Sequence, residues 1–195
     1  MASLSYVASR PLVFVDTETG GLDPATDALL SLAAIRTDCM AGKVLGEMDV
    51  KVTPYPFLLI HARAAEVNGY TPEHWAGASS EAIELARFAE LAAGAVWVGH
   101  SPAFDIGFLQ AAFARHSLPW PKLGYRYPID TAVLAWPLLR AGRVDDLKLQ
   151  TIRAALAVYP AGEAHTAGAD ARTCLEIYKN LVGRYVSMVK PTSST

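Results

Sequence analysis

The chain has 195 residues, which is enough for one domain with a substantial hydrophobic core. Its composition, 52% hydrophobic and 18% charged residues, excludes a disordered protein, and its apolar runs end well short of a membrane span. The net charge of −2 gives no support to tight, sequence-independent wrapping of duplex nucleic acid, but it does not exclude an enzyme that acts on nucleic acid.

The start of the chain and its two cysteines bear on where the protein works. Residues 1–11 lack a basic segment followed by an apolar core, so we expect no secretory signal. Cys39 and Cys174 lie far apart and form no CxxC pair, which favours free thiols in a reduced, cytoplasmic protein. We expect no membrane partner.

In the first half of the chain, short apolar runs predict strands and an alanine-rich segment predicts a helix. The predicted strands are Leu12–Asp16, Leu29–Thr37 and Lys43–Val52. Thr71 and the following Pro72 have the residue types of a helix start. Glu81–Ala93 predicts a further helix, which Gly94 ends.

The second half alternates predicted strands and helices. The predicted strands are Ala95–Gly99 and Tyr125–Ile129, and the predicted helices are Phe104–His116, Thr131–Arg140, Asp145–Ala157 and about Ala167–Val186. We find no linker and no internal repeat. The order predicts a single α/β domain with a mixed central sheet flanked by helices, a core over residues 11–187 and a flexible tail over 188–195.

Two acids lie two residues apart where the first predicted strand ends. Because side chains alternate across a strand, Asp16 and Glu18 point the same way if the extended geometry persists to Glu18. Like charges this close are unfavourable without a cation, and carboxylate oxygens suit Mg²⁺ or Mn²⁺. Taken alone, such a pair is more often a solvated strand end.

Three further candidate residues follow. Asp105 comes after a predicted strand, where open α/β sheets place their sites, although an acid there also complements a helix dipole. His165 lies in a loop and Asp170 near the start of the last helix; a loop histidine can take a proton from water or simply be solvated. Together the four acids supply the carboxylates that two metal ions need for phosphodiester hydrolysis, and His165 supplies a general base.

Three segments, in this order, resemble the motifs of the DEDDh (DnaQ-like) 3′→5′ exonucleases. The segments are FVDTETGGLDP from Phe14, VGHSPAFDIGFL from Val98 and HTAGADA from His165. IDTAVLAW, from Ile129, resembles a stretch between the second and third motifs, and the likeness runs from about Val13 to Leu181.

The resemblance implies an RNase H-like fold and two Mg²⁺ or Mn²⁺ ions per site. It implies that Asp16, Glu18 and Asp170 surround one ion, that Asp16 is shared with the other, and that Asp105 completes the cluster. It also implies that His165 is the general base. A histidine five residues before the last aspartate, rather than a tyrosine, is typical of the DEDDh subclass.

Substrate contacts follow from the same resemblance. The implied substrate-binding residues are Thr19, Gly20, Gly21, Leu22, His100 and Phe104. The first four correspond to the stretch that lines the terminal-nucleotide pocket, where glycines permit close backbone approach. Packing in the protein core is an equally good interpretation of Phe104, and a structural role is the favoured one for His100.

The chain departs from the family pattern at two positions. Relatives often carry an acid in the second strand, where this chain has Ser31, and an asparagine where it has Ser101. Neither is one of the five core residues, so we expect altered substrate contacts or packing rather than an inactive enzyme. Three other histidines, His61, His74 and His116, have no acidic partner at ligand spacing in the sequence.

These observations predict a 3′→5′ exonuclease that releases nucleoside 5′-monophosphates from single-stranded or frayed DNA. An RNase T-like exoribonuclease that trims RNA ends uses the same residues and stays open as an alternative. A polymerase-associated proofreading or binding module is the second alternative. A DNA polymerase, a sliding clamp and a second copy of the chain are further partner hypotheses beside the nucleic acid 3′ end.

Overall fold

A computed structural model describes residues 7–159 and 165–189. In this part of the chain, six strands form one mixed sheet in the order β4-β3-β2-β1-β5-β6. The strands are β1 Leu12–Thr19, β2 Leu29–Thr37, β3 Val44–Thr53, β4 Ser79–Ser80, β5 Val96–Gly99 and β6 Ile129–Asp130. β1, β2 and β3 pair antiparallel, whereas β4, β5 and β6 each run parallel to their neighbours.

Helices cover both faces of this sheet. They are α1 Ala62–Asn68, α2 Glu81–Ala92, α3 Ala103–Arg115, α4 Thr131–Leu134, α5 Trp136–Arg140, α6 Leu149–Ala155 and α7 Ala167–Val189. Val13 and Val15 of β1 pack with α2 and α3, whereas Leu12 and Phe14 pack with α7. The alternation of a strand therefore sends neighbouring residues of β1 into two different cores.

The predicted fold class is confirmed, but some predicted elements are wrong. Residues 72–77 form turns instead of the helix expected after Thr71, although the Thr71 hydroxyl does accept the amide of His74 at 3.1 Å. The chain turns away at Gly77, which has a φ of 84°. The helix of this region is α1, which the sequence analysis missed and which ends at Gly69 in the left-handed conformation.

Three later boundaries also differ. The strand expected over Tyr125–Ile129 is reduced to β6, because the preceding backbone bonds instead to the Gly94–Ala95 turn through Lys122 and Gly124. The helix expected over Thr131–Arg140 is divided at Ala135 into α4 and α5, where Pro137 lies in the first turn of α5.

The helix expected over Asp145–Ala157 starts late. The Asp146 carboxylate accepts the amide of Lys148 at 3.1 Å, which closes a turn before α6 begins at Leu149. α7 continues to Val189, so the first two residues of the tail expected over 188–195 are helical, and the rest of that tail lies outside the described residues. Within the described residues, no helix is long and apolar enough to cross a membrane. Both cysteines are free thiols.

Candidate active site

The two acids of β1 face the same side of the sheet. Phe14, two residues before Asp16, packs in the core under α7. Glu18 pairs with Ser31 of β2 in the antiparallel ladder, close to the end of β1. Because alternate strand residues share a face, both carboxylates point towards α7, as the DxE spacing predicts.

α7 brings the third acid to this place. Asp170 lies in the first turn of α7, whose start packs against β1 and β2. Carboxylate oxygens of Asp16, Glu18 and Asp170 all lie within 4.8 Å of one another. Residues from the two ends of the chain therefore form one cluster of hard oxygen ligands.

Asp105 reaches the cluster from the other side of the sheet. It lies in the first turn of α3, is 4% exposed, and accepts hydrogen bonds from the Thr17 amide at 2.9 Å and the Thr17 hydroxyl at 2.7 Å. It does not belong to the group whose oxygens all lie within 4.8 Å, although its charge acts on Asp16. Its role as a metal ligand stays a prediction.

Burial and mutual repulsion raise the pKa values of these carboxyls. The pKa of Asp16 lies well above its usual range because of burial and the charges of Asp105, Asp170 and Glu18. Burial, with repulsion from Asp170 and Asp105, raises the pKa of Glu18 to about 7. Burial also raises the pKa of Asp105 to about 7, against the opposing effect of the Thr17 hydrogen bonds.

This cluster has the properties of a site for divalent cations. Among the described residues, no lysine or arginine forms an ion pair with any of the four carboxylates. Several buried negative charges without a positive partner are unfavourable, and a bound ion would remove the repulsion. Oxygen-only donors suit Mg²⁺ or Mn²⁺ better than zinc, so the residues fit the ions that the sequence predicts.

His165 lies beside the cluster. It is exposed and adopts a φ of 63°, at the point where the described chain resumes before α7. Burial raises the pKa of Asp170, while the charge and backbone amide of His165 act to lower it, so the two residues are close. Its role as the general base stays a prediction.

A pocket of about 760 Å³ opens next to the cluster and shares Glu18 with it. Four of the six predicted substrate-binding residues line its wall. They are Thr19, Gly21, Leu22 and Phe104. Leu22 is 84% exposed, and the Phe104 ring rests on Phe108 while remaining 37% exposed. Phe104 therefore combines both predicted interpretations, core packing on one side and an accessible face on the other.

Gly20 lies behind the pocket wall. Its amide donates to Ala28 at 2.7 Å and its carbonyl accepts the amide of His61 at 2.7 Å. A Cβ at this position would lie 2.3 Å from the Leu59 carbonyl oxygen, so only glycine fits between the two loops.

His100 is held by the protein through both ring nitrogens. Nε2 lies 2.9 Å from the Leu147 carbonyl, and Nδ1 lies 3.0 Å from the Thr131 hydroxyl. Burial lowers the pKa of His100, which favours a neutral ring that donates from Nε2 and accepts at Nδ1. This geometry agrees with a structural role, and the predicted substrate contact stays untested.

The structure places Ser31 and Ser101, the two residues that depart from the family pattern. Ser31 is buried directly opposite Glu18, and directly opposed residues of an antiparallel pair share a face, so the chain lacks a carboxylate beside Glu18. Ser101 has a φ of 58°, and its amide donates to Asp130 at 3.0 Å. Asparagine tolerates this conformation more readily than serine.

Sequence reasoning missed two pairs of acid and histidine. His61 Nε2 lies 3.1 Å from the buried Asp27 carboxylate, and both residues line the large pocket. His116 Nε2 lies 2.7 Å from the buried Glu81 carboxylate, which Arg115 also approaches at 3.4 Å. The partners are 34 and 35 residues apart, so no local spacing could reveal them.

A six-stranded mixed sheet with clustered carboxylates where β1 ends is an RNase H-like fold with an acidic site at a strand end. The chain belongs to the DnaQ-like RNase_T exonuclease family, whose model matches residues 13–178.

Curated relatives agree with this assignment over part of the chain. The chain is 35% identical over 108 residues to DNA polymerase III PolC-type of Streptococcus thermophilus, and 34% identical over 110 residues to that of Latilactobacillus sakei. These matches cover 55% and 56% of the chain but 7% of each relative. The chain therefore spans a small fraction of the polymerases that it matches.

Solved structures share the fold. Exonuclease I of E. coli in complex with a dT13 oligonucleotide superposes with a TM-score of 0.75 at 23% identity, covering 91% of this chain and 42% of that one. Exonuclease I of Methylocaldum szegediense gives a TM-score of 0.75 at 22% identity, covering 91% and 41%. At this identity the likeness shows the fold alone, and the chain spans less than half of either enzyme.

Proposed function

We propose that the chain removes nucleotides one at a time from the 3′ end of single-stranded or frayed DNA and releases them as 5′-monophosphates. The observation that carries this proposal is the position of Glu18, which belongs both to the carboxylate cluster and to the wall of the large pocket. A phosphodiester held at the cluster therefore places its terminal nucleoside in the pocket.

Asp16, Glu18 and Asp170 would hold the divalent ions, with Asp105 on the opposite side. When bound, such ions stabilise negative charge on the phosphate and lower the pKa of a nearby water. The raised pKa values of these carboxyls support the assignment, because an added positive charge would keep them ionised.

His165 acts as the general base. Its exposed imidazole takes a proton from the attacking water, whose oxygen forms the new bond to phosphorus. The bond from phosphorus to the 3′ oxygen of the preceding nucleotide breaks, and that oxygen takes a proton from solvent. The products are a nucleoside 5′-monophosphate and a strand shorter by one nucleotide, with a new 3′ hydroxyl.

Two comparisons support DNA as the substrate. The relatives at 34–35% identity carry the name of a DNA polymerase, and exonuclease I has been solved with an oligodeoxynucleotide. The PolC-type relatives also support the hypothesis that the chain acts beside a DNA polymerase. RNA trimming by the same residues is an outcome that the following experiment distinguishes.

Single-stranded DNA and RNA of one sequence, labelled at the 5′ end, would be incubated with Mg²⁺ or Mn²⁺ and with EDTA. We expect a ladder that shortens by one nucleotide at a time, runs faster on DNA and disappears with EDTA. His165→Ala should slow the reaction by about 10²- to 10⁴-fold, the contribution of a general base.

His74→Ala is the matched control, because His74 is an exposed histidine on a turn outside the pocket lining. It should keep the wild-type rate. A faster reaction on RNA would replace the DNA assignment by the exoribonuclease one. Absence of a ladder on both substrates with both metals would overturn the proposed hydrolysis.

A further inference from the structure

We propose that Asp27 and His61 form a fixed pair in which His61 Nδ1 accepts a hydrogen bond from a sugar hydroxyl of the terminal nucleoside. Asp27 is then a positioning residue and His61 a substrate-binding residue. The proposal rests on the exonuclease function above and names a contact inside the same pocket.

Asp27 is a buried acid with a full set of donors. It is 3% exposed and accepts the Asp23 amide at 2.9 Å, the Thr26 hydroxyl at 3.0 Å and His61 Nε2 at 3.1 Å. Burial acts to raise its pKa, but the hydrogen bonds from Asp23, Thr26 and His61 outweigh burial and lower it. An ionised Asp27 can only accept, so the proton of a neutral His61 ring lies on Nε2.

Backbone contacts also fix the position of His61. Its amide donates to the Gly20 carbonyl at 2.7 Å, and it occupies the N-cap position of α1. A Cβ on Gly21 would lie 2.6 Å from the His61 ring and 2.1 Å from the Asp27 carboxylate. The ring is therefore packed directly on the glycine backbone, which leaves it little freedom to rotate.

The second ring nitrogen remains available to a ligand. Among the described residues, no protein group bonds to Nδ1, whereas both ring nitrogens of His100 are occupied. The His61 side chain is 55% exposed and lines the large pocket together with Glu18. With the proton on Nε2, Nδ1 presents a lone pair, which suits a hydroxyl donor.

The position of the ring favours the sugar as the source of that donor. His61 contacts Gly20 and Gly21, which follow Glu18 by two and three residues, so it lies near the place of the scissile phosphate. In a nucleotide the sugar is the group next to the phosphate. The apolar and aromatic side chains of Leu22 and Phe104 lie on the same wall and suit the base.

The test compares oligonucleotides whose last nucleoside carries only a 3′ hydroxyl, only a 2′ hydroxyl, or neither. For the wild type we expect KM to rise about 3- to 10-fold when the contacted hydroxyl is missing, the effect of one neutral hydrogen bond, with little change in kcat. His61→Phe keeps a ring but removes the acceptor, so its KM should no longer depend on the hydroxyl.

His116→Phe is the matched control, because His116 also pairs with a buried acid but lines a smaller pocket of about 320 Å³. It should keep the discrimination of the wild type. Asp27→Asn should weaken the discrimination, because a neutral amide no longer fixes the proton on His61 Nε2.

The result separates the two proposals. An inactive wild type overturns the exonuclease proposal itself. An active wild type whose hydroxyl discrimination persists unchanged in His61→Phe overturns the role of His61 while leaving the proposed function intact. Loss of discrimination for the 3′ or for the 2′ hydroxyl alone supports the pair and identifies which hydroxyl it contacts.

Discussion

The molecule contains two groups of acids with opposite surroundings: one group faces other carboxylates, and the other faces hydrogen-bond donors. In the active-site cluster, Asp16 and Glu18 face other carboxylates, and their pKa values are raised. In the pocket wall, Asp27 faces hydrogen-bond donors, and its pKa is lowered. The buried carboxylate of Glu81 also faces donors, since His116 and Arg115 approach it at 2.7 and 3.4 Å.

The difference shows how a metal site can be told from a structural ion pair. Burying a carboxylate is unfavourable in either case, so the free energy of the fold depends on what the carboxylate faces. Asp27 is satisfied within the protein and gains nothing from a cation. In the cluster the carboxylates repel one another, so a bound cation would relieve unfavourable charge that Asp27 does not face.

The largest effect is expected from a single charge removed from the cluster. Asp16→Asn should reduce kcat by at least about 10²-fold, comparable with the loss of one transition-state stabiliser. The same change should make the metal-free protein more stable, because it relieves repulsion with Glu18, Asp105 and Asp170. Steady-state rates and urea unfolding in EDTA measure both, with Asp145→Asn, an exposed acid, as control. If metal-free Asp16→Asn were less stable than the metal-free wild type, repulsion between the cluster carboxylates would not be the dominant effect.

The second prediction concerns pH. In the metal-free fold the pKa of Glu18 is about 7 against an ordinary 4.5, and that of Asp105 is about 7 against 3.8. Between these values the folded protein binds more protons than the unfolded one, so its stability should fall as pH rises from about 4 to 7.

Saturating Mg²⁺ or Mn²⁺ should reverse much of this fall, because the ion takes the place of the protons. Thermal unfolding in EDTA and in metal, at pH 5 and pH 7.5, provides the measurement. A metal-free protein that is more stable at pH 7.5 than at pH 5 would contradict the raised pKa values of the cluster carboxyls.

The sequence was sufficient to predict the parts of the site that local geometry determines. The DxE spacing places Asp16 and Glu18 on one face because strand residues alternate. Asp170 joins them through the start of α7, which the third motif marked. Asp105 was placed with the others, but it approaches Thr17 from the α3 side of the sheet, which no spacing in the chain reveals.

The remaining parts depend on contacts between distant segments. Asp27 meets His61 because the loop after β1 and the segment before α1 bond to each other through Gly20 and Leu59. Thr71 has the residue type of a helix cap and does accept an amide, yet the chain there bends at Gly77. Local propensity describes the first turn, and tertiary contacts decide whether a helix follows it.

The third prediction tests how tightly Asp27 is packed against Gly21. Gly21→Ala would place a Cβ 2.1 Å from Oδ2 of Asp27, and three hydrogen bonds to the two oxygens of that carboxylate hold it in place. We expect a loss of about 1–3 kcal/mol in the free energy of unfolding, typical of overpacking. Gly183→Ala is the control: Gly183 lies in α7 with nothing within 4 Å, so alanine should be neutral or stabilising. Equal stability of the two variants would refute the tight packing.

The smallest effect is expected when the charge of Asp27 is removed. Asp27→Asn keeps the shape and one acceptor oxygen but weakens the hydrogen bonds from Asp23, Thr26 and His61, so we expect a loss of about 1–2 kcal/mol at pH 7. Because the folded pKa of Asp27 is lowered, its contribution is present above its unfolded pKa and disappears as pH falls through the folded value.

Wild type and Asp27→Asn should therefore converge in stability as the solution is acidified, while the metal-free cluster gains stability over the same change. Urea unfolding of both proteins at pH 7 and at pH 3, in EDTA, measures the two opposite slopes in one series. A gap that stayed constant with pH would mean that Asp27 does not act through its charge. The contrast between the two groups of acids would then reduce to packing alone.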